Sequence, residues 1–158
     1  MTDFEALLAA LTRQEVTFIV VGGAAAIAHG SARFTQDLDI VYQRSPPNLN
    51  RLVDALAECK PYLRGAPPGL PFKWDRTTLA RGLNFTLVTA LGDIDLLGEI
   101  PGGGTYEDLA ADAIELQIFG IRCLCLSLAQ LIRAKRAAGR PKDLEALAEL
   151  EAIEDEHD

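Results

Sequence analysis

The sequence predicts an α/β or α+β domain: one mixed β-sheet flanked by helices, closed by C-terminal helices. Three observations carry this. The predicted elements run helix, strand, short helix, strand, helix, then strands, then helices. The strands are short β-branched or alternating runs, and the helices carry recognisable start and stop signals. The 158 residues, 49% hydrophobic and 24% charged, suit one soluble globular unit. The expectation is a single domain over 1–158, with a core of about 16–126 and helices over 127–155.

Taken in order, Phe4 to Arg13 is helical, with Phe4, Leu7, Leu8 and Leu11 on one stripe. Thr2 is the expected N-cap, with Glu5 in the capping-box position. Thr17 to Val21 reads as a buried strand ended by Gly22-Gly23, and Ala24 to Ala28 as a short helix closed by Gly30. Asp37 to Tyr42 alternates as a second strand. Ser45 to Asn48 is a turn into a helix over Leu49 to Cys59, with Leu52, Val53, Leu56 and Ala57 facing inward.

Pro61 to Trp74 reads as a connecting loop, with Phe72 and Trp74 packing it down. Leu83 to Val88 and Asp93 to Leu97 alternate about Ala90-Leu91-Gly92, an antiparallel hairpin. Gly102 to Gly104 is a break, and Tyr106 to Ala111 a short helix. Ala113 to Phe119 and Ile121 to Leu126 form a second hairpin about Gly120. Ser127 caps a helix over Leu128 to Ala138 that Gly139 ends, and Pro141 opens a last helix reaching about Ile153.

Charge excludes some functions. The net charge is −8, but residues 141–158 hold eight acids and one lysine, so the body is nearly neutral. No broad basic footprint for long nucleic acid is present. The acidic tail reads as a solvated helix face. No apolar run reaches the roughly 18–20 residues that span a bilayer. The start lacks the basic residues of a signal peptide, so a cytoplasmic location is expected, without membrane association. Cys59, Cys123 and Cys125 give no disulfide framework and read as small buried hydrophobes.

The chemistry sits in Gly22-Gly23 followed, after thirteen residues, by Asp37-Leu38-Asp39. Asp37 and Asp39 are two apart on a strand, so both carboxylates point one way. Adjacent like charges repel, and a hard divalent cation relieves the repulsion. The glycine pair allows a tight turn and close ligand approach, and the following helix start offers free N–H groups to phosphate. Metal-binding acids beside such a turn make a site for a nucleoside triphosphate. Asp93-Ile94-Asp95-Leu96 repeats the acid-apolar pattern on another strand. Either Asp93 or Asp95 can supply a third carboxylate for a two-ion site. Asp95 is preferred, because Asp93 follows Gly92 and serves the turn.

Val20-Val21-Gly22-Gly23 … Asp37-Leu38-Asp39-Ile40 resembles the signature of the DNA polymerase β-like nucleotidyltransferase superfamily. Ala24-Ala25, His29-Gly30, Arg33 and Thr35 resemble its abortive-infection toxin branch, called AbiEii-like. Gly92 to Leu97 is similar to that group's third-carboxylate strand, and Lys135 … Gly139 to Leu144 to its C-terminal motif. The resemblance implies Mg²⁺ (or Mn²⁺) at Asp37, Asp39 and Asp95, and triphosphate at Gly22 and Gly23. It also implies roles for Arg33 and Thr35 beside the acids, for Lys135 near the phosphates, and for Asp143 in support. His29 is read instead as a solvent-facing helix end.

The expected function is transfer of a nucleoside monophosphate from a nucleoside triphosphate to a hydroxyl of RNA, protein or a small molecule. The resemblance implies a toxin–antitoxin setting with an antitoxin partner. The alternative is a non-catalytic nucleotide- or partner-binding module of the same fold.

Overall fold

The computed structural model describes residues 1–157. Helix α1, Phe4–Arg13, is followed by strand β1, Phe18–Val21, helix α2, Gly22–Ala28, and strand β2, Asp37–Tyr42. Helix α3, Pro46–Leu56, runs into a 3₁₀ turn at Ala57–Cys59 and a two-residue strand β3, Tyr62–Leu63. Helix α4, Arg76–Arg81, precedes the hairpin of β4, Phe85–Thr89, and β5, Gly92–Leu97. A small pair, β6 at Glu99–Ile100 and β7 at Gly104–Thr105, leads to helix α5, Tyr106–Ala110. The hairpin β8, Ile114–Ile118, and β9, Ile121–Cys125, is followed by helices α6, Leu128–Ala138, and α7, Pro141–His157.

Seven strands make one mixed sheet in the order β3-β4-β5-β2-β1-β9-β8. The β2–β5 and β1–β9 pairs are parallel and the rest antiparallel. The mixed α/β architecture is the predicted one. Alternation decides the faces. Leu38, Ile40, Ile94, Leu96 and Leu87 are fully buried on one face of the β4–β5–β2 segment. Their neighbours Thr86 and Val88 are exposed, and Asp37, Asp39, Asp93 and Asp95 half-buried, on the other. The site is built on that second face.

Several local expectations need correction. Asp3, not Thr2, caps α1: its side chain accepts from the Ala6 N–H at 2.9 Å. Thr2 instead donates to the Gln36 carbonyl and accepts from the Asp93 N–H at 3.1 Å. Gly22-Gly23 is the first turn of α2 rather than a break before it. Helix α3 starts at Pro46, because proline suits a first turn, and it turns Ala55 inward while Ala57 is exposed. The loop over 61–74 contains β3, and α4 follows it. The last helix runs to His157.

Other signals land where expected. Ser127 and Gln130 form a reciprocal capping box on α6, and Gly139 ends it in the left-handed region at φ 65°. Phe119 and Gly120 both take positive φ, the geometry of a tight hairpin turn. Cys59, Cys123 and Cys125 are free and buried, and burial raises the thiol pKa of Cys125 to about 12. Among the described residues no helix is long and apolar enough to cross a membrane.

Candidate active site

Strand register assembles the acids. Asp37 lies opposite Asp93 and Asp39 opposite Asp95 across the parallel β2–β5 pair. Thr86 extends the second row onto β4, and Val21 extends it onto β1. A β-strand shows one face every second residue, so all four carboxylates stand on one floor. Asp37, Asp39 and Asp95 each place an oxygen within 4.8 Å of the other two. Of the two candidates for third acid, Asp95 joins this cluster. Asp93 stands beside it, with an oxygen 3.4 Å from Nε of Arg64.

The electrostatics of the cluster follow from crowding. Burial, then the charges of Asp37 and Asp95, push the Asp39 carboxyl up to about 8. Burial also raises Asp95, against the lowering pull of Arg64. Oδ1 of Asp39 is buried without a hydrogen-bond partner. A buried acceptor left open costs free energy, and Asp39 lines the cleft, so this atom keeps acceptor capacity that the protein does not use.

The glycine pair fits the cluster closely. Gly22 has φ 64°, where other residues are strained, and a Cβ there would collide with the Asp39 carboxylate. A Cβ on Gly23 would lie 2.6 Å from Oγ1 of Thr35. Thr35 in turn donates to the Asp37 carbonyl at 3.2 Å, tying the loop before β2 to the strand. No side chain caps α2, whose first turn thus keeps its N–H groups free beside the acids.

A cleft of about 340 Å³ opens here, with Asp37, Asp39 and Asp95 on one wall. Arg33, Lys135, Arg140 and Lys142 line the other. Asp143 organises that second wall. It is fully buried and accepts from Lys135 at 3.2 Å and from Arg140 Nε at 2.5 Å. These cations hold its carboxyl down at about 2. Arg33 reaches Glu145 and Glu149 at 3.8 Å, so part of the acidic tail is engaged rather than merely solvated. Glu149 also accepts from Ser31 at 2.5 Å.

The structure thus gathers Gly22, Gly23, Arg33, Thr35, Asp37, Asp39, Asp95, Lys135 and Asp143 around one cleft. His29 is not part of it: rather than facing solvent, its Nε2 lies 2.8 Å from the Leu126 carbonyl, tying α2 to the end of β9. Trp74 donates to the Val53 carbonyl at 3.0 Å and Phe72 stands edge-on to Tyr62, so both pack the loop.

Sequence reasoning misses Arg64. It follows β3, and its N–H continues the ladder to the Thr86 carbonyl at 3.0 Å. Its guanidinium lies 2.8 Å from Asp95, 3.4 Å from Asp93 and 3.8 Å from Asp37. No local pattern marks it. The available signal is weak: it is one of two cations, with Lys73, in an otherwise largely apolar, Pro- and Gly-rich loop.

No protein-family model matches the chain, and no curated protein matches it. Solved structures do share its fold. A candidate nucleotidyltransferase from Thermotoga maritima, TM1012, aligns over 92% of this chain and 88% of its own, at 16% identity and a TM-score of 0.58. The lincosamide antibiotic adenylyltransferase LnuA, in its lincomycin-bound form, aligns over 96% of this chain and 98% of its own, at 16% identity and a TM-score of 0.60. The fold is therefore nucleotidyltransferase-like.

Proposed function

We propose that the chain is a divalent-ion-dependent nucleotidyltransferase, acting as one domain of that fold. It moves a nucleoside monophosphate from a nucleoside triphosphate to a hydroxyl acceptor. The observation that carries this is the convergence of Asp37, Asp39 and Asp95 within 4.8 Å, facing a cation-lined wall. Both fold neighbours bear nucleotidyl- or adenylyltransferase names, which supports the reading.

The residues fit Mg²⁺ or Mn²⁺. The cluster offers only hard carboxylate oxygens, and the buried Oδ1 of Asp39 lacks any protein partner. Asp37, Asp39 and Asp95 would hold the ion. When bound, it supplies neutralisation of phosphate charge and lowers the pKa of an acceptor hydroxyl. Lys135 and Arg140, held by Asp143, face the triphosphate. Gly22 and Gly23 let it approach the backbone of α2. Arg33 and Thr35 hold the loop that leads into Asp37. Asp95 takes the proton of the acceptor hydroxyl as its oxygen bonds to the α-phosphorus. The α–β phosphoanhydride then breaks and pyrophosphate leaves.

LnuA, by its name, adenylylates a lincosamide, so a small-molecule hydroxyl stands beside RNA and protein as acceptor. The toxin–antitoxin setting rests on the sequence resemblance alone. The test is incubation with α-labelled nucleoside triphosphates and Mg²⁺, against RNA, protein and small-molecule acceptor pools. Label transfer that disappears in Asp39→Ala is the expected result. Tight nucleotide binding without transfer to any pool would favour the non-catalytic module.

A further inference from the structure

Four carboxylates, Asp37, Asp39, Asp93 and Asp95, share one sheet face. On their β4 side stands Arg64, the one cation paired with them among the described residues, whose side chain is 28% exposed. Lys135, on the other side, is already paired with Asp143. The grip of Arg64 is uneven. One amino group is firmly held, 2.8 Å from Asp95 Oδ1 and donating to the Leu87 carbonyl at 2.7 Å. The other is 3.8 Å from Asp37, beyond hydrogen-bond reach. Nε is 3.4 Å from Asp93 but buried without a hydrogen bond. A guanidinium committed to one carboxylate takes a two-pronged pairing with its N–H groups satisfied. Here it is anchored at one corner and spreads its charge over three acids.

A divalent ion draws on the same negative charge. An ion held by Asp37 and Asp95 enters next to a fixed positive group, and like charges at a few ångströms in a half-buried site repel strongly. Triphosphate oxygens bring the negative charge that offsets this. The residue after Arg64 is Gly65, and the loop beyond it is largely exposed.

We propose that Arg64 is a positioning residue that holds Asp95 in place and makes ion loading depend on the nucleotide, by weakening the affinity of the acids for a free divalent ion. This rests on the nucleotidyltransferase reading of the same cluster.

The test is calorimetric titration of wild-type, Arg64→Gln and Arg64→Lys proteins with Mn²⁺ alone, then with Mn²⁺ and a non-hydrolysable triphosphate analogue. Arg64→Gln is expected to bind Mn²⁺ alone about tenfold more tightly than wild type, the effect of roughly one like charge removed. Arg64→Lys, which keeps the charge, stays within about threefold of wild type on the same grounds. With the analogue present the difference shrinks. Arg64→Gln binding Mn²⁺ no more tightly than wild type overturns the proposal. If that variant does not fold, wild-type protein carries the test. The Arg64 side-chain nitrogen resonance, assigned by its loss in Arg64→Lys, shifts on adding Mg²⁺, and a resonance that stays put while the ion binds overturns it. Failure of Asp37, Asp39 and Asp95 to bind Mn²⁺ at all, in wild type with the analogue, sinks the ion-site reading itself.

Discussion

The two sides of the acidic row are built on different plans. On the α6–α7 side, Lys135 and Arg140 are gripped by the fully buried Asp143, and Arg33 by Glu145 and Glu149. Each of these three cations has an acid behind it on a helix, while Lys142 lines the cleft unpaired among the described residues. On the β3–β4 side the floor is bare sheet, with Thr86 and Val88 exposed. The cation there, Arg64, directly follows a two-residue strand. A preset row of positive charges suits a ligand of fixed shape such as a triphosphate, because little reorganisation is left at binding. An open floor beside Asp95 suits acceptors of varied shape. On the proposed reading, donor and acceptor demands would be separated onto helix and sheet.

The sharpest way to break this division is to remove the acid common to both sides. Asp39→Asn keeps the volume and discards the charge. It is expected to lower kcat by at least about a thousandfold, roughly 4 kcal/mol of transition-state stabilisation. It also has a readout independent of activity. In the metal-free protein burial and the neighbouring carboxylates raise Asp39 from the ordinary aspartate value near 3.8 to about 8. Between those values the folded state binds the proton more tightly than the unfolded state. Its contribution to stability is complete below about 4 and is lost as pH rises through about 8. Thermal denaturation of wild type should therefore show Tm falling over that window, and Asp39→Asn should lack this slope. Saturating Mg²⁺ with a triphosphate should flatten it too.

Gly22→Ala attacks the same acid from the backbone. A left-handed residue other than glycine costs about 1–3 kcal/mol. The new methyl also pushes the Asp39 carboxylate out of place. A drop in stability of that size, with kcat lowered about a hundredfold, is the expected outcome. Denaturant titration and steady-state kinetics read the two parts. Equal kcat in a destabilised variant would mean that Asp39 tolerates displacement.

These two positions also show what was legible in the sequence. Strand β2 begins at Asp37 and ends at Tyr42 as predicted, because acid and aliphatic alternate from Asp37 to Ile40 and the β-formers Val41 and Tyr42 continue the run. The glycine pair and the acids carry their chemistry locally, and Asp95 follows from a repeated pattern. Arg64 has no such mark. Its place depends on register across β3, β4 and β5, and on a long side chain reaching over Thr86. A two-residue strand has no periodicity to read. The Asp143 hub was half legible: an acid in a helix's first turn is ordinary, and only tertiary packing makes it the buried partner of two cations. The cap of α1 shows a third kind of miss. Thr2 and Asp3 are both good caps, and Thr2 went instead to the Gln36 carbonyl and the Asp93 N–H of neighbouring segments.

Asp143→Asn tests the helical side alone. The charge that holds Lys135 and Arg140 is lost, while the amide can keep some hydrogen bonds. Because Arg140 is largely exposed and Lys135 partly so, the loss is expected to cost about 1–3 kcal/mol, the range for a lost charge-assisted hydrogen bond. KM for the triphosphate should rise about tenfold with kcat little changed, the sign of a lost ground-state contact. The pH behaviour is opposite to that of Asp39. Arg140 and Lys135 hold the Asp143 carboxyl at about 2, below the ordinary aspartate value near 3.8, so its contribution is present above about 4 and lost as pH falls through about 2. Acid denaturation curves of wild type and variant should therefore converge at low pH. Curves that stay parallel would mean that Asp143 is not the hub.

The smallest effect is expected at Arg33, and it is informative because it is small. Both of its ion pairs are at 3.8 Å, and its side chain is 47% exposed. Such pairs are worth about 0–1 kcal/mol and are screened by salt. Arg33→Gln should thus leave Tm within about 2 °C. Its charge still lines the cleft, so a phosphate bound there would lie within about one Debye length of it. The expected signature is a two- to threefold rise in the triphosphate KM at low salt that fades at about 0.5 M salt. A loss that salt does not relieve would place Arg33 in direct contact with the nucleotide. It would then stand beside Lys135 and Arg140 as a preset phosphate ligand, and the braced side of the cleft would extend onto the loop before β2.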